Sequence, residues 1–252
     1  MPSRALQFEN PAGKLLAGRL DLPPDGPPRA YGLFAHCFTC SKDLKAAAYV
    51  CRSLADHGIG MLRFDFTGLG DSQGDFADTT FSSNIDDLET AAAYMAREHQ
   101  PVRLMVGHSL GGAAVLRAAG RIPSCRGVAT IGTPADPSHV ARHLEDSLNA
   151  INQHGEAEVM VEGRAFHFRR SFLDDLAGNA MPAAVGQLGL PLLILHSPLD
   201  DVVGVENAGR LYQAARHPKS FVALDGVDHL LSNPDDARYV GRLIGAWFSR
   251  YL

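Results

Sequence analysis

Residues 102–116, VRLMVGHSLGGAAVL, constrain the fold more than any other part of the chain. The segment begins with an apolar, β-branched run of strand length and ends in strong helix formers. Between them lies GHSLG, residues 107–111, with Ser109 at its centre and the spacing G-x-S-x-G. A sharp strand-to-helix turn brings neighbouring backbone so close that the positions two before and two after its centre favour glycine. The segment therefore predicts a strand, a tight turn that exposes Ser109, and a helix.

The composition suits one large α/β domain and excludes several classes of partner. The chain has 252 residues, is 46% hydrophobic and carries a formal net charge of −5. No basic run provides the electrostatic footprint of a protein that binds nucleic acid or an anionic membrane surface. The first 13 residues lack the apolar stretch of a signal peptide, and no apolar run is long enough to span a bilayer. We expect a cytoplasmic protein with no nucleic-acid and no membrane partner.

Strand-like runs alternate with helical patterns through most of the chain, which predicts a mostly parallel, doubly wound sheet with helices on both faces. Ser83, with Asp86 three residues later, predicts the N-cap of one helix. Asn233 followed by Pro234 predicts the start of the last helix. The strand-like runs after the first two are 31–35, 59–64, 102–106, 127–131, 190–195 and 220–224.

Residues 137–189 break this alternation and predict an insertion in a core formed by residues 1–136 and 190–252. Val140, Leu144 and Leu148 have the spacing of one helix. The runs 158–161 and 165–168 predict a small hairpin. An insertion between two core strands lies over the carboxyl ends of the strands, so we expect a cap that shapes a substrate pocket. The alternative is a surface excursion remote from the site.

A serine hydroxyl is a poor nucleophile, and it needs a base to accept its proton and a third group to orient that base. In a doubly wound sheet these groups come from loops at the carboxyl ends of the strands. Two such loops follow the turn at Ser109. The first contains Asp200 and Asp201, and the second contains His229. The residues for a Ser-His-Asp triad are therefore present, in the chain order serine, acid, histidine.

These motifs resemble those of the α/β-hydrolase superfamily of serine hydrolases. GHSLG resembles the family's nucleophile elbow, in which Ser109 is the nucleophile. The pattern S-P-x-D-x-x-V around Asp200 resembles the family's acid loop, and the sequence GVDH that ends at His229 resembles its histidine loop. The pattern D-x-x-G-x-G-x-S that begins at Asp65 is similar to a further family loop, for which we expect a structural role. The resemblance covers essentially the whole chain and implies the α/β-hydrolase fold. It favours Asp200 as the acid, with Asp201 kept as the alternative.

The resemblance also implies an oxyanion hole made of two backbone N–H groups. One belongs to Leu110, directly after the nucleophile. In the family a His-Gly pair precedes the second donor, and here the corresponding pair is His36-Cys37, which makes the N–H of Phe38 the second donor. Cys37 in place of glycine departs from the common pattern.

The cysteines and two further histidines raise the alternatives of redox and metal chemistry. The chain has four cysteines, too few for a disulfide framework in a chain of this size, so the reduced state is the default. Cys37 and Cys40 have the C-x-x-C spacing of a redox pair, which is an alternative role. His139 and His143 have a spacing that can hold a metal, but no HExxH motif or carboxylate cluster accompanies them. We expect no metal and no cofactor.

We therefore expect a serine esterase that cleaves small-molecule carboxylic esters of small to medium acyl groups through an acyl-serine intermediate. The same triad would serve an acyltransferase, a thioesterase, a lactonase or a peptidase. A hydrolase-like ligand-binding protein with little turnover is a further alternative. Some members of the superfamily form homodimers, and no residue of this sequence selects an interface.

Overall fold

A computed structural model describes residues 2–138, 140, 145–161, 163–179 and 181–252. Its strands lie where continuous apolar or alternating runs predict them. They are β1 (Ser3–Glu9), β2 (Leu15–Asp21), β3 (Ala30–Ala35), β4 (Ile59–Phe64), β5 (Val102–His108), β6 (Gly127–Ile131), β7 (Glu156–Val161), β8 (Arg164–Arg169), β9 (Leu192–His196) and β10 (Lys219–Ala223).

Eight of these strands form one sheet in the order β1-β2-β4-β3-β5-β6-β9-β10. β2 pairs antiparallel with both β1 and β4, and the remaining neighbours pair parallel. β3, β4 and β6 are buried along their whole length, as expected of strands covered by helices on both faces. The mostly parallel, doubly wound sheet predicted from the sequence is confirmed.

Helices cover both faces of this sheet. α1 and α8 pack together on one face, and α2 and α3 pack together on the other. The α-helices are α1 (Lys45–Asp56), α2 (Phe81–Glu98), α3 (Leu110–Ala118), α4 (Glu145–His154), α5 (Arg170–Gly178), α6 (Met181–Gln187), α7 (Glu206–Ala214) and α8 (Pro234–Phe248). None of the helices described in these residues is long and apolar enough to cross a membrane.

The N-terminal caps of two helices were predicted from the sequence, and the structure confirms one of them. Asn233 caps α8, where its side chain accepts a hydrogen bond from the N–H of Asp235 at 3.0 Å, as predicted. The N-cap of α2 is Thr80, so the prediction of Ser83 was wrong. Thr80 and Ser83 form a reciprocal capping box, in which each hydroxyl accepts from the backbone N–H of the other residue. Ser83 thus contributes to the cap from the third helical position.

The segment between β6 and β9 contains α4, the hairpin β7–β8, α5 and α6. The hairpin is antiparallel, as predicted. Of the predicted helix, Leu148 lies in α4, Val140 lies before α4, and Leu144 lies outside the described residues. Phenylalanine rings attach this segment to the rest of the fold: Phe168 and Phe172 lie 5.7 and 5.8 Å from Phe38 between ring centroids.

Candidate active site

Ser109 lies at the turn between β5 and α3 in a strained backbone conformation, with φ 53° and ψ −125°. The backbone N–H of Ser109 donates to Ile131 O at 2.8 Å, which ties the turn to β6. A Cβ on Gly107 would lie 2.4 Å from the carbonyl oxygen of Gly111, and a Cβ on Gly111 would lie 2.3 Å from that of His36. Backbone crowding therefore requires the two glycines, for the reason that the sequence pattern indicates.

Three side chains from distant parts of the chain form one hydrogen-bonded line. The Ser109 hydroxyl lies 3.1 Å from His229 Nε2 and donates to it, and His229 Nδ1–H donates to Asp200 Oδ2 at 2.7 Å. All three residues are buried. They follow β5, β9 and β10, whose carboxyl ends meet at the same edge of the sheet. This arrangement can transfer a proton from the hydroxyl to a ring that a carboxylate orients.

Asp200 is held by the loop that carries it. Its Oδ1 accepts from the backbone N–H groups of Val202 at 3.0 Å and Val203 at 2.8 Å. Burial opposes ionisation, but the hydrogen bonds from His229 and Val203 outweigh it and hold the pKa of Asp200 below its ordinary value. Asp200 is therefore an anion near neutral pH. Asp201, the alternative acid, is exposed, and Asp200 is the carboxylate that the structure places against His229.

Three further histidines surround this line in structural roles. His108 Nε2–H donates to the backbone oxygen of His229 at 2.8 Å, and burial lowers the pKa of His108 to about 3, so this ring is neutral. His196 Nε2–H donates to Val203 O at 2.7 Å and so steadies the acid loop. His36 Nδ1–H donates to Cys37 O at 2.8 Å, and burial lowers the pKa of His36 as well.

The two expected oxyanion donors flank the serine. Phe38 lies in the loop between β3 and α1, and Leu110 is the first residue of α3. In the part of the chain that is described, neither backbone N–H donates to a protein acceptor. Phe38 lines the same cavity as Ser109, and Phe38 and Leu110 both line a smaller adjoining cavity. Neither N–H group is thus committed to a protein acceptor among the described residues, so both could donate to a substrate oxygen.

Cys37 and Cys40 are joined by a disulfide, with their Cα atoms 5.4 Å apart. This corrects the expectation that the cysteines are reduced. The error arose because the expectation rested on the number of cysteines, whereas pairing depends on the local turn. In that turn the N–H of Cys40 donates to Cys37 O at 3.2 Å, which brings the two side chains together. Cys51 and Cys125 are free and buried.

The far end of this loop is fixed by Lys42, which no sequence motif identifies, on carboxylates of the loop that begins at Asp65. Lys42 Nζ donates to Asp65 Oδ2 at 2.8 Å and to Asp71 Oδ2 at 2.6 Å, and the N–H of Lys42 donates to Asp65 Oδ1. Burial opposes the charged ammonium, but these carboxylates raise the pKa of Lys42 above its ordinary value. Arg63 donates to the backbone oxygen of Lys42. The loop that begins at Asp65 thus anchors the end of the loop that carries Phe38.

Ser109 lies in the wall of a cavity of about 280 Å³. Apart from Ser109 and His229, its described lining is apolar or, at Cys37, disulfide-bonded. Val140, Met160 and Val161 come from the inserted segment, and the other lining residues come from the core. The lining residues are Cys37, Phe38, Ser109, Pro134, Val140, Met160, Val161, Val202, Val203, His229 and Leu230. Such a cavity suits an uncharged, apolar group of modest size.

Metal chemistry gains no support in the described ranges, where no group of three or more His, Cys, Asp and Glu side chains is placed to hold an ion. His139 and His143, whose spacing raised that alternative, lie outside the described residues.

Comparison with known proteins relates the whole chain to hydrolases. A family model described as serine aminopeptidase, S33, matches residues 27–165. The esterase domain of a Rhodothermus marinus protein is 50% identical, with a TM-score of 0.82, and the match covers 100% of this chain and 99% of that one. Est1E of Butyrivibrio proteoclasticus, solved with bound ferulic acid, is 21% identical, with a TM-score of 0.80 over 98% of this chain and 99% of that one, and it supports the fold alone.

Among curated proteins, the uncharacterized protein YfhR of Salmonella typhimurium is 28% identical over 181 residues. That match covers 70% of this chain and 57% of YfhR, so the chain corresponds to little more than half of that relative's length. The homodimer that the sequence left open gains no support from these comparisons.

Proposed function

Because this chain belongs to the serine aminopeptidase S33 family, within the α/β-hydrolase superfamily of serine hydrolases, we propose that it hydrolyses carboxylic esters of small to medium acyl groups through an acyl-serine intermediate. The observation that carries the proposal is the line Ser109–His229–Asp200 at the wall of an apolar cavity. The 50% identity to an esterase domain over the whole chain supports ester chemistry.

In the proposed mechanism, His229 Nε2 accepts the Ser109 proton as Oγ attacks the ester carbonyl carbon. Asp200 orients the ring and stabilises its positive charge. The N–H groups of Leu110 and Phe38 donate to the oxyanion, and each such donor contributes about 3 kcal/mol to the transition state. His229 then protonates the departing alkoxide, which leaves as the alcohol. Water, activated by the same ring, releases the acid and regenerates Ser109.

The family description also raises peptide cleavage from a free amino terminus, and the cavity argues against it. An α-ammonium group that enters a buried site needs a carboxylate partner. No acidic side chain lines the cavity among the residues described. An uncharged acyl group meets no such requirement. We therefore expect p-nitrophenyl esters to be turned over much faster than aminoacyl p-nitroanilides, and the reverse order would favour the peptidase.

The proposal is tested by Ser109→Ala. Loss of the nucleophile should lower turnover of p-nitrophenyl esters about 10⁴-fold or more, and it should abolish covalent labelling by a fluorophosphonate probe. Ser249→Ala makes the same deletion at an exposed position in the last turn of the chain, and it should change neither result. A folded Ser109→Ala protein with near wild-type turnover would contradict the mechanism. Stable ester binding without turnover or labelling in the wild type would favour a binding protein.

A further inference from the structure

The Cys37–Cys40 disulfide lies in the wall of the substrate cavity. Cys37 lines that cavity together with Ser109, and both cysteines are almost completely buried, with 5% and 8% of their surface exposed. The ring that the disulfide closes contains Phe38, whose N–H is the second proposed oxyanion donor. A small reagent that enters the cavity therefore meets Cys37 beside the nucleophile.

The backbone inside this ring is strained. Thr39 has a φ of 59°, which is unusual for a β-branched residue and costs about 1–3 kcal/mol. Such a conformation persists only where its surroundings impose it. Four constraints act here: the disulfide, the bond from the N–H of Cys40 to Cys37 O, the bond from the Thr39 hydroxyl to Phe38 O at 2.7 Å, and a hydrogen bond from Arg164 of β8 to Thr39 O. The disulfide is the one that a change in redox conditions removes.

We propose that the Cys37–Cys40 disulfide is a reversible redox-modification site that is reduced by small dithiols and that controls the position of the Phe38 N–H. This inference rests on the proposed function, because Phe38 acts through the oxyanion. Cys37 is the entry point for the reductant, since Cys40 does not line the cavity among the described residues.

The exchange is balanced with a dithiol as the two-electron reductant. One thiolate of the reductant forms a bond to Cys37 Sγ as the Cys37–Cys40 bond breaks, and the electron pair leaves on Cys40 Sγ, which takes up a proton. The second thiolate of the reductant then displaces Cys37 Sγ, which is protonated, and the reductant becomes a cyclic disulfide. A low-molecular-weight disulfide reverses the reaction and regenerates the Cys37–Cys40 bond.

Reduction should affect kcat rather than KM. Without the disulfide, Thr39 can leave its positive φ and carry the Phe38 N–H away from the oxyanion position. That donor contributes in the transition state and not to binding of the ground state. Complete loss of one oxyanion donor lowers kcat about 10²–10³-fold. Lys42 and Arg164 still hold the loop after reduction, so the donor is displaced only in part. We therefore expect kcat to fall about tenfold or more, with KM nearly unchanged.

The test measures turnover of p-nitrophenyl acetate by the wild type before and after treatment with dithiothreitol, and again after reoxidation with oxidised glutathione. Alkylation followed by mass spectrometry shows which cysteines have been reduced, independently of activity. Thermal unfolding shows whether the reduced protein remains folded. The Cys37→Ser/Cys40→Ser variant should have the low kcat of the reduced wild type and should not respond to dithiothreitol. The Cys51→Ala/Cys125→Ala variant, which changes the two free thiols, should respond like the wild type.

We expect alkylation to label Cys37 and Cys40 in an aliquot of the reduced protein, and we expect the remaining, unalkylated protein to show a fall in kcat and recovery on reoxidation. An unchanged or raised kcat in reduced, unalkylated protein, when an alkylated aliquot shows that both Cys37 and Cys40 are reduced, would overturn the inference. Failure of dithiothreitol to reduce the folded protein, or loss of the unfolding transition on reduction, would overturn it as well. All of these outcomes are distinct from failure of the proposed function, which would appear as absent Ser109-dependent turnover in the oxidised protein.

Discussion

Asp200 and Asp201 are neighbours in the chain with the same side chain, but the fold gives them different environments. Asp200 is buried, accepts two backbone N–H groups and faces His229 at 2.7 Å, whereas Asp201 is exposed. The backbone bonds fix one carboxylate oxygen and leave the other for the imidazole. The orientation of the His229 ring, and with it the free lone pair on Nε2, depends on this carboxylate.

We expect Asp200→Asn to lower kcat for p-nitrophenyl esters about 10⁴-fold while the protein stays folded. The amide of asparagine donates as well as accepts, so it favours the tautomer in which Nε2 carries the proton and cannot accept one from Ser109. Asp201→Asn is the matched control and should change kcat by less than about twofold, because exposed substitutions away from partners have small effects. Steady-state kinetics on both variants separates the two residues. Equal losses in the two variants would contradict the assignment of Asp200 as the acid.

Loop positions in the sequence identified the candidate residues of the site, although the preference for Asp200 over Asp201 came from the resemblance to the α/β-hydrolase superfamily. Ser109, Asp200 and His229 follow strands whose carboxyl ends must meet, so their chain order and spacing predict that they lie close together. The sequence did not identify contacts between residues that only tertiary packing brings together. Lys42 donates to Asp65, which lies 23 residues later in the chain, and Arg164 donates to Thr39, which lies 125 residues earlier. No local pattern encodes either pair.

At the scale of elements, the loop between β3 and α1 is restrained at several points along its length. The loop begins directly after β3, and the Cys37–Cys40 disulfide closes its turn. Its end is anchored by the ion pair of Lys42 with Asp65. Asp65 is fully buried and follows β4 directly, so a core strand positions the anchor. The loop is thus held both by contacts of its own and by an anchor that follows the neighbouring strand.

We expect Asp65→Asn to lower the free energy of unfolding by about 3 kcal/mol, because Lys42 loses its buried carboxylate partner and keeps only Asp43 and Asp71, whose side chains are 50% and 75% exposed. It should also lower kcat, since Lys42 ends the loop that carries Phe38. Asp71→Asn removes a second carboxylate bonded to Lys42, but this side chain is 75% exposed, and we expect a loss of at most about 1 kcal/mol. Urea unfolding and ester kinetics measure both effects. Similar losses in the two variants would contradict the assignment of Asp65 as the anchor.

The helices show where element-level prediction succeeds. Asn233 and Pro234 identify the start of α8 because cap and first position carry distinct residue types. The start of α2 was misplaced by three residues because Thr80 and Ser83 both carry hydroxyls and cap each other. Seven-residue α6 (Met181–Gln187) was not predicted, because so short a segment has little periodicity and its helicity depends on packing, with Met181 and Val185 buried.

At the scale of the whole molecule, the segment between β6 and β9 contributes part of the cavity wall. The core supplies the reacting groups, and Val140, Met160 and Val161 of the insertion complete the wall. The sequence predicted a segment at this place because the strand–helix alternation stops after β6. It did not predict how the segment is attached, which depends on rings such as Phe168 and Phe172 that meet Phe38 only in the folded chain. That the segment acts as a substrate cap stays a prediction.

The cap hypothesis predicts that acyl-chain preference depends on Met160. This side chain lines the cavity yet is 63% exposed, so Met160→Ala should leave stability almost unchanged. Each methylene group that an apolar surface shields from water contributes about 0.8 kcal/mol, so the truncation should lower kcat/KM for p-nitrophenyl octanoate about three- to tenfold and leave p-nitrophenyl acetate unaffected. Leu199→Ala is the matched control, since Leu199 is 70% exposed and lies outside the cavity wall. An octanoate-to-acetate ratio that is the same in both variants and in the wild type would mean that the exposed edge of the hairpin does not contact the substrate, and the cap hypothesis would then be wrong.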